Sequence, residues 1–313
     1  MRRRACGRRG WAGGIGILAI IALLAIAASS ALAGTGGAPT PTSSPPPPGS
    51  GSGAPAAEPS AGAISLVAAE TKPRKSFYFG FRYPRLSYTL GSSQPQNDVR
   101  IDVVNATGEI IRTFYRDDLA PDVAYNVRWD GATAEGKPAR NGKYSFRIGP
   151  QTPAPAARKA TATTTLSLGF TLYGYTFPIL GAHDYGGAMG RFGAGRSGHT
   201  HQGQDVMAAC GTPLVAARGG RVQFSGWDDG GGNYVVIDGK GTPNDFVYMH
   251  MAEPSPLKAG ETVRTGQPIG LVGTTGSSSG CHLHFEIWSA SGWYEGGSPF
   301  DPLAELQKWD TYS

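Results

Sequence analysis

The chain of 313 residues is 40% hydrophobic and 16% charged, with 28 basic against 23 acidic side chains. Five of the basic residues (Arg2, Arg3, Arg4, Arg8, Arg9) lie in the first nine positions, and without residues 1–33 the balance is 23 against 23. The basic character therefore belongs to the leader, no basic run follows it, and nucleic-acid binding has no electrostatic footing.

That leader has an arginine-rich start, an apolar stretch from Ile15 to Ala28 and small residues ending Ala31-Leu32-Ala33-Gly34. This is the layout of a secretory signal, with cutting expected after Ala33. The stretch from Trp11 to Ala33 is also just long enough to stay as a membrane anchor, although the short strongly apolar part favours cleavage. In both forms the remainder is exported, secreted or held at the cell wall.

Residues 34–76 are rich in Pro, Gly, Ala, Ser and Thr, including Pro45-Pro46-Pro47-Pro48, and carry no hydrophobic period. They are expected to form a disordered, partly polyproline-II linker. From 77 to 169 the pattern becomes short alternating strands between turn signals. Val99–Val104 leads through Asn105-Ala106-Thr107-Gly108 into Glu109–Phe114 as a hairpin, followed by strands at Tyr125–Trp129 and Lys143–Ile148. Strands at this spacing predict a β-sandwich. The run from Trp129-Asp130-Gly131 to Gly136-Lys137-Pro138-Ala139-Arg140-Asn141-Gly142-Lys143-Tyr144 resembles the Ig-like domain of flagellar hook-capping proteins. The resemblance implies a spacer or adhesion module without catalytic residues.

Residues 170–313 are again strand- and glycine-rich, with Asn233–Ile237 and Phe246–Met251 as clear strands and one short helix expected near Pro302–Lys308. The predicted fold class is all-β in both regions. Four of the six histidines sit in two clusters, His199-Thr200-His201-Gln202-Gly203-Gln204-Asp205 and His282-Leu283-His284-Phe285-Glu286. If each cluster is a strand, His201 and Asp205 share one face and His282 and His284 share another, so two strands aim four metal-competent groups at one point. A His/Asp set with an open position is the catalytic kind of zinc site, whereas structural zinc is commonly closed by cysteines.

Cys210 and Cys281 have the opposite strand parity from those residues and are poor ligand candidates. Were Asp205 to lie opposite His284 on antiparallel neighbours, the two cysteines would fall two positions out of register, near enough to bridge in an oxidising compartment. His250, beside Met249 and Met251, shares a predicted face with Tyr248.

From about Phe177 to Leu306 the chain resembles the lysostaphin-type, or LytM-like, zinc endopeptidases of bacterial cell walls. The motifs are Arg191-Phe192-Gly193, His201 through Asp205, Gly211 through Ala217, Gly232 through Ile237, Tyr248-Met249-His250, Val263 through Gly273 and Gly280 through Glu286. The resemblance implies Zn2+ held by His201, Asp205 and His284, with His250 and His282 as non-ligand catalytic histidines, and peptidoglycan peptides as substrate. Departures are confined to Met249, Met251 and Cys281, none of which removes a reacting group. Glu286 and His199 are candidate supporting partners or ordinary hydrogen-bonding residues, and His183 is read as a loop residue. Two other readings stay open: a zinc endopeptidase acting on secreted proteins, and a non-catalytic wall-binding or regulatory module.

Overall fold

The structure, a computed structural model, describes residues 64–151 and 168–313. The leader and most of the linker lie outside the described residues, so the expectations placed on them are not addressed by the structure. All described residues fall within one compact unit, Ala57–Ser313. Among them no helix is long and apolar enough to cross a membrane.

The first eight strands are β1 (Ser65–Lys72), β2 (Lys75–Phe77), β3 (Arg85–Gly91), β4 (Asn97–Asn105), β5 (Ile110–Leu119), β6 (Ala124–Arg128), β7 (Gly142–Pro150) and β8 (Gly169–Tyr173). They form a three-stranded sheet, β1-β3-β6, and a five-stranded sheet, β2-β8-β7-β4-β5. Alternation decides which side chains go inward: Leu86, Tyr88 and Leu90 from one sheet meet Val99, Ile101, Val103, Phe146 and Leu172 from the other, around the buried ring of Trp129. This is the two-layer packing that the alternating pattern predicts; the likeness to an Ig-like domain remains a reading of the sequence.

Two edges differ from expectation. β1 lies within residues expected as linker: Ser65–Lys72 contains neither Pro nor Gly, Thr71 is buried and Leu66 and Ala69 pack on the core. β8 straddles the expected boundary at 169/170, pairing antiparallel with β7 and parallel with β2. The chain then passes into the second region with no break in structure. Thr265 bonds both ways to the backbone of Phe79 and Phe81, and its hydroxyl donates to the Tyr78 carbonyl at 2.7 Å. Arg218, only 2% exposed, donates to the carbonyls of Gly174 and Lys240 and lies between the rings of Tyr78 and Tyr175.

The second region contains β9 (His183–Asp184), β10 (Gln204–Ala208), β11 (Pro213–Val215), β12 (Gly220–Asp228), β13 (Gly232–Gly239), β14 (Asp245–Met251), β15 (Thr262–Val263), β16 (Pro268–Leu271), β17 (His282–Trp288), β18 (Pro299–Phe300) and helix α1 (Leu303–Asp310). The main sheet runs β15-β12-β13-β14-β17-β10-β9, with β18 on β17, and β11 pairs β16 separately. One face packs a continuous core that includes Val206, Val235, Ile237, Phe246, Tyr248, Leu283, Phe285, and Leu306 and Trp309 of α1. Odd-numbered positions of β17 point into that core, so His282, His284 and Glu286 emerge on the other face.

β10 and β17 are antiparallel neighbours with Asp205 opposite His284, the register on which the cysteine argument rested. Cys210 and Cys281 form a disulfide with a Cα–Cα distance of 5.2 Å.

Candidate metal centre

Asp205 projects from β10 and His284 from the adjacent position of β17. His201 reaches the same point by another route. Strand β10 begins only at Gln204, so His201 is not on a strand as expected; its loop is pinned to Ala194 and Gly193 by backbone hydrogen bonds at both its N–H and its carbonyl. Gly203 lets that loop lie against β17: a Cβ there would stand 2.5 Å from the Phe285 carbonyl and 2.8 Å from His284 Nε2.

Three atoms converge. His201 Nε2, His284 Nδ1 and Asp205 Oδ1 are each 2.9 Å from the other two. The remaining nitrogens of the two rings are committed elsewhere. His201 Nδ1–H donates to the Arg191 carbonyl at 2.8 Å, and His284 Nε2–H donates to Glu286 Oε1 at 2.9 Å. Those bonds fix the tautomers, so the triangle consists of two imidazole lone pairs and a carboxylate oxygen. Three acceptors at this separation repel unless a cation or an extra proton lies among them.

The electrostatics say the same. When protons rather than a cation fill the triangle, burial pushes the Asp205 carboxyl upward, but the hydrogen bonds that the two rings then donate outweigh it and hold the group well below the usual carboxylate range. Burial pushes His284 down, yet its bonds to Asp205 and Glu286 raise it to about 9. The triangle thus draws positive charge. His, His and Asp oxygen and nitrogen donors, each oriented by an outer hydrogen bond, fit zinc.

His282 and His250 lie alongside. His282 Nε2 is 3.6 Å from Asp205 Oδ1, and the His250 ring is 4.6 Å from the ring of His282. Alternation on β14 places His250 with Tyr248, but Tyr248 is fully buried in the core. The β13–β14 register slips between Asn233/Met251 and Val235/Tyr248, and His250 takes φ 58°. This bulge costs backbone strain and turns the ring to the metal face. His250 Nδ1–H donates to Thr275 O and His282 Nδ1–H to Gly280 O, both at 2.8 Å, so each ring presents Nε2 as an acceptor. Burial lowers His250 to about 4, with the bond to Thr275 opposing.

The other candidates separate cleanly. His199 is exposed and bonded to the Ser197 carbonyl, outside the triangle. His183 stacks on Phe177 and bonds Asp310 of α1, a structural anchor. Glu286, 3% exposed, takes the supporting place: besides His284 it accepts from Trp288 Nε1 at 2.6 Å. Three participants were not singled out from the sequence. Arg196 lies 3.5 Å from Asp205 Oδ2, the Thr275 carbonyl orients His250, and exposed Tyr294 donates to Gln202 beside His201. No local motif marks any of them, because each arrives from a separate loop.

Residues 199–302 match the model of peptidase family M23. The chain is 34% identical over 124 residues to lysostaphin of Staphylococcus simulans, a match covering 39% of this chain and 24% of that protein. It is 41% identical over 89 residues to the peptidoglycan DD-endopeptidase ShyC of Vibrio cholerae, covering 28% of this chain and 20% of that protein. The chain thus spans a quarter or less of the length of these two curated relatives. Against the solved catalytic domain of lysostaphin from Staphylococcus simulans the identity is 33%, over 40% of this chain and 92% of that one, with a TM-score of 0.35. The stretch that matches the model of peptidase family M23 contains all five histidine and aspartate positions described above: His201, Asp205, His250, His282 and His284.

Proposed function

We propose that the chain is an exported zinc metalloendopeptidase that hydrolyses peptide bonds in the stem peptides or cross-bridges of peptidoglycan. The observation that carries the reading is the triangle of His201, Asp205 and His284 donor atoms with two further histidines at its side. Named activities of the relatives, a peptidoglycan DD-endopeptidase among them, support the substrate class, and the signal-like leader supports export.

Bound zinc supplies Lewis acidity and a water that ionises near neutral pH. The protein's own groups handle the protons. His282, with Nε2 free and Nδ1–H held by Gly280, takes the proton from the attacking water and returns it to the departing amine. His250, kept neutral at physiological pH by burial, accepts a hydrogen bond at Nε2 and orients that water. The Gly280 carbonyl stabilises the His282 ring as positive charge develops on it, and the Thr275 carbonyl holds the neutral His250 ring in its tautomer. No His-Glu-x-x-His helix is present among the described residues, so the proton carrier is a histidine rather than a glutamate.

Digestion of purified peptidoglycan by the zinc-loaded protein, followed by mass spectrometry, tests the reading. New peptide termini absent with the His282→Ala variant are expected. A folded, zinc-containing protein that releases none from several wall chemotypes, but cuts secreted proteins, would replace the substrate class.

A further inference from the structure

The strand register of the first region assembles a charge pattern that is invisible in the sequence. On the β1-β3-β6 sheet, Lys72 lies opposite Arg85, and Arg85 opposite Arg128. Residues directly opposite on antiparallel strands share a face, and here Thr71, Leu86 and Val127 take the core side, leaving the three cations outward and exposed. Like charges directly opposite one another destabilise a sheet. Lys72 is relieved by Glu70 at 2.9 Å. Arg85 and Arg128 form no ion pair with any described residue.

Arg128 also walls a cavity of about 270 Å³ with Tyr83, Arg112, Phe114 and Asp130. The Arg112 guanidinium is positioned by the Thr133 and Ala134 carbonyls at 3.4 and 3.3 Å, contacts that orient its charge without neutralising it. It lies 5.7 Å from the Phe114 ring, and Arg264 lies 4.9 Å from the ring of Tyr83. The acids nearby are Asp130, whose Oδ1 is engaged by the Ala132 N–H, and the fully exposed Glu135. Guanidinium groups match oxyanions through paired N–H donors, and aromatic walls suit the apolar face of a sugar ring. A row of cations spaced at the strand interval, about 4.8 Å, suits repeated charge along a chain better than one isolated ion.

We propose that this face binds a linear anionic polysaccharide, with its carboxylate groups lying across Lys72, Arg85 and Arg128 and one sugar ring seated between Tyr83 and Phe114. The site is separate from the metal centre and does not depend on the peptidase reading.

The test is calorimetric titration of the zinc-loaded full chain with poly(glycerol phosphate), with polygalacturonate and with inorganic phosphate at low salt. Binding of polygalacturonate is expected, with poly(glycerol phosphate) and inorganic phosphate at least tenfold weaker. R85E/R128E should weaken polymer binding at least tenfold with zinc content and turnover of a small soluble peptide unchanged. R85Q/R128Q should do the same in smaller degree while holding or raising the melting temperature, because a repulsion is removed. Unchanged affinity in both variants, no binding of polygalacturonate, or binding only to poly(glycerol phosphate) or to anionic phospholipid vesicles would overturn the proposal.

Discussion

Glu286 and His284 are joined through a hydrogen bond of 2.9 Å from His284 Nε2–H to the buried Glu286 carboxylate, which is simultaneously anchored by Trp288. Both residues leave β17 on the same face, two positions apart, so the strand itself sets the contact. A carboxylate behind a ligand imidazole fixes its tautomer and raises its basicity, and loss of such a partner typically weakens metal affinity 10–100-fold. Glu286→Gln is expected to weaken zinc binding by about that factor, read by chelator competition, with the fold retained. Affinity equal to wild type would remove Glu286 from the site.

The two loop histidines make opposite predictions. His201→Ala removes one corner of the triangle and should abolish stoichiometric zinc, whereas His199→Ala should leave metal content near wild type. Elemental analysis of the two purified variants separates them, and loss of zinc in the His199 variant would reverse the assignment.

The metal-free protein has a stability optimum set by two histidines. His284 is raised to about 9 in the folded state, so its contribution is present in full below its unfolded value of 6.5 and is lost as pH rises through 9. His250 is lowered to about 4, so its contribution is present above 6.5 and is lost as pH falls toward 4. Each limb is worth about 3 kcal/mol. Denaturant unfolding of the zinc-free protein should therefore show a maximum near pH 6.5. Zinc must displace the His284 proton, so adding zinc should convert the alkaline fall into a rise. A flat profile without zinc would contradict the two assignments.

The disulfide closes a loop of sequence separation 71 and ties β10 to β17, the two strands that carry Asp205 and His284. Constraint of the unfolded chain by a loop of that size contributes about 4 kcal/mol. The double variant Cys210→Ser, Cys281→Ser should lose stability of that order in urea unfolding and also bind zinc less tightly. Equal midpoints with and without the disulfide would refute the tie.

Much of this site could be read in the chain because period-2 alternation is strict on β17. His282, His284 and Glu286 must share a face there, and the opposite parity of Cys281 follows from the same rule. Alternation failed where the backbone left the regular strand. His201 precedes β10 and arrives through a loop closed by hydrogen bonds to Ala194 and Gly193, and His250 is turned by a bulge at positive φ that no residue type announces. β1 was concealed differently, since Ser65–Lys72 lacks Pro and Gly but follows directly on the linker, buries only Thr71 fully and shows no strict alternation before it pairs with β3. The basic row of Lys72, Arg85 and Arg128 was equally hidden, because three strands far apart in sequence must align before it exists.

X-ray absorption at the zinc edge of the purified full chain is the most direct measurement of the central claim. The account predicts one zinc per chain with a shell of nitrogen and oxygen scatterers only, including the outer signature of two imidazoles, and loss of that signal in Asp205→Ala. A sulfur shell, or a protein that binds no zinc at stoichiometric concentration, would contradict it.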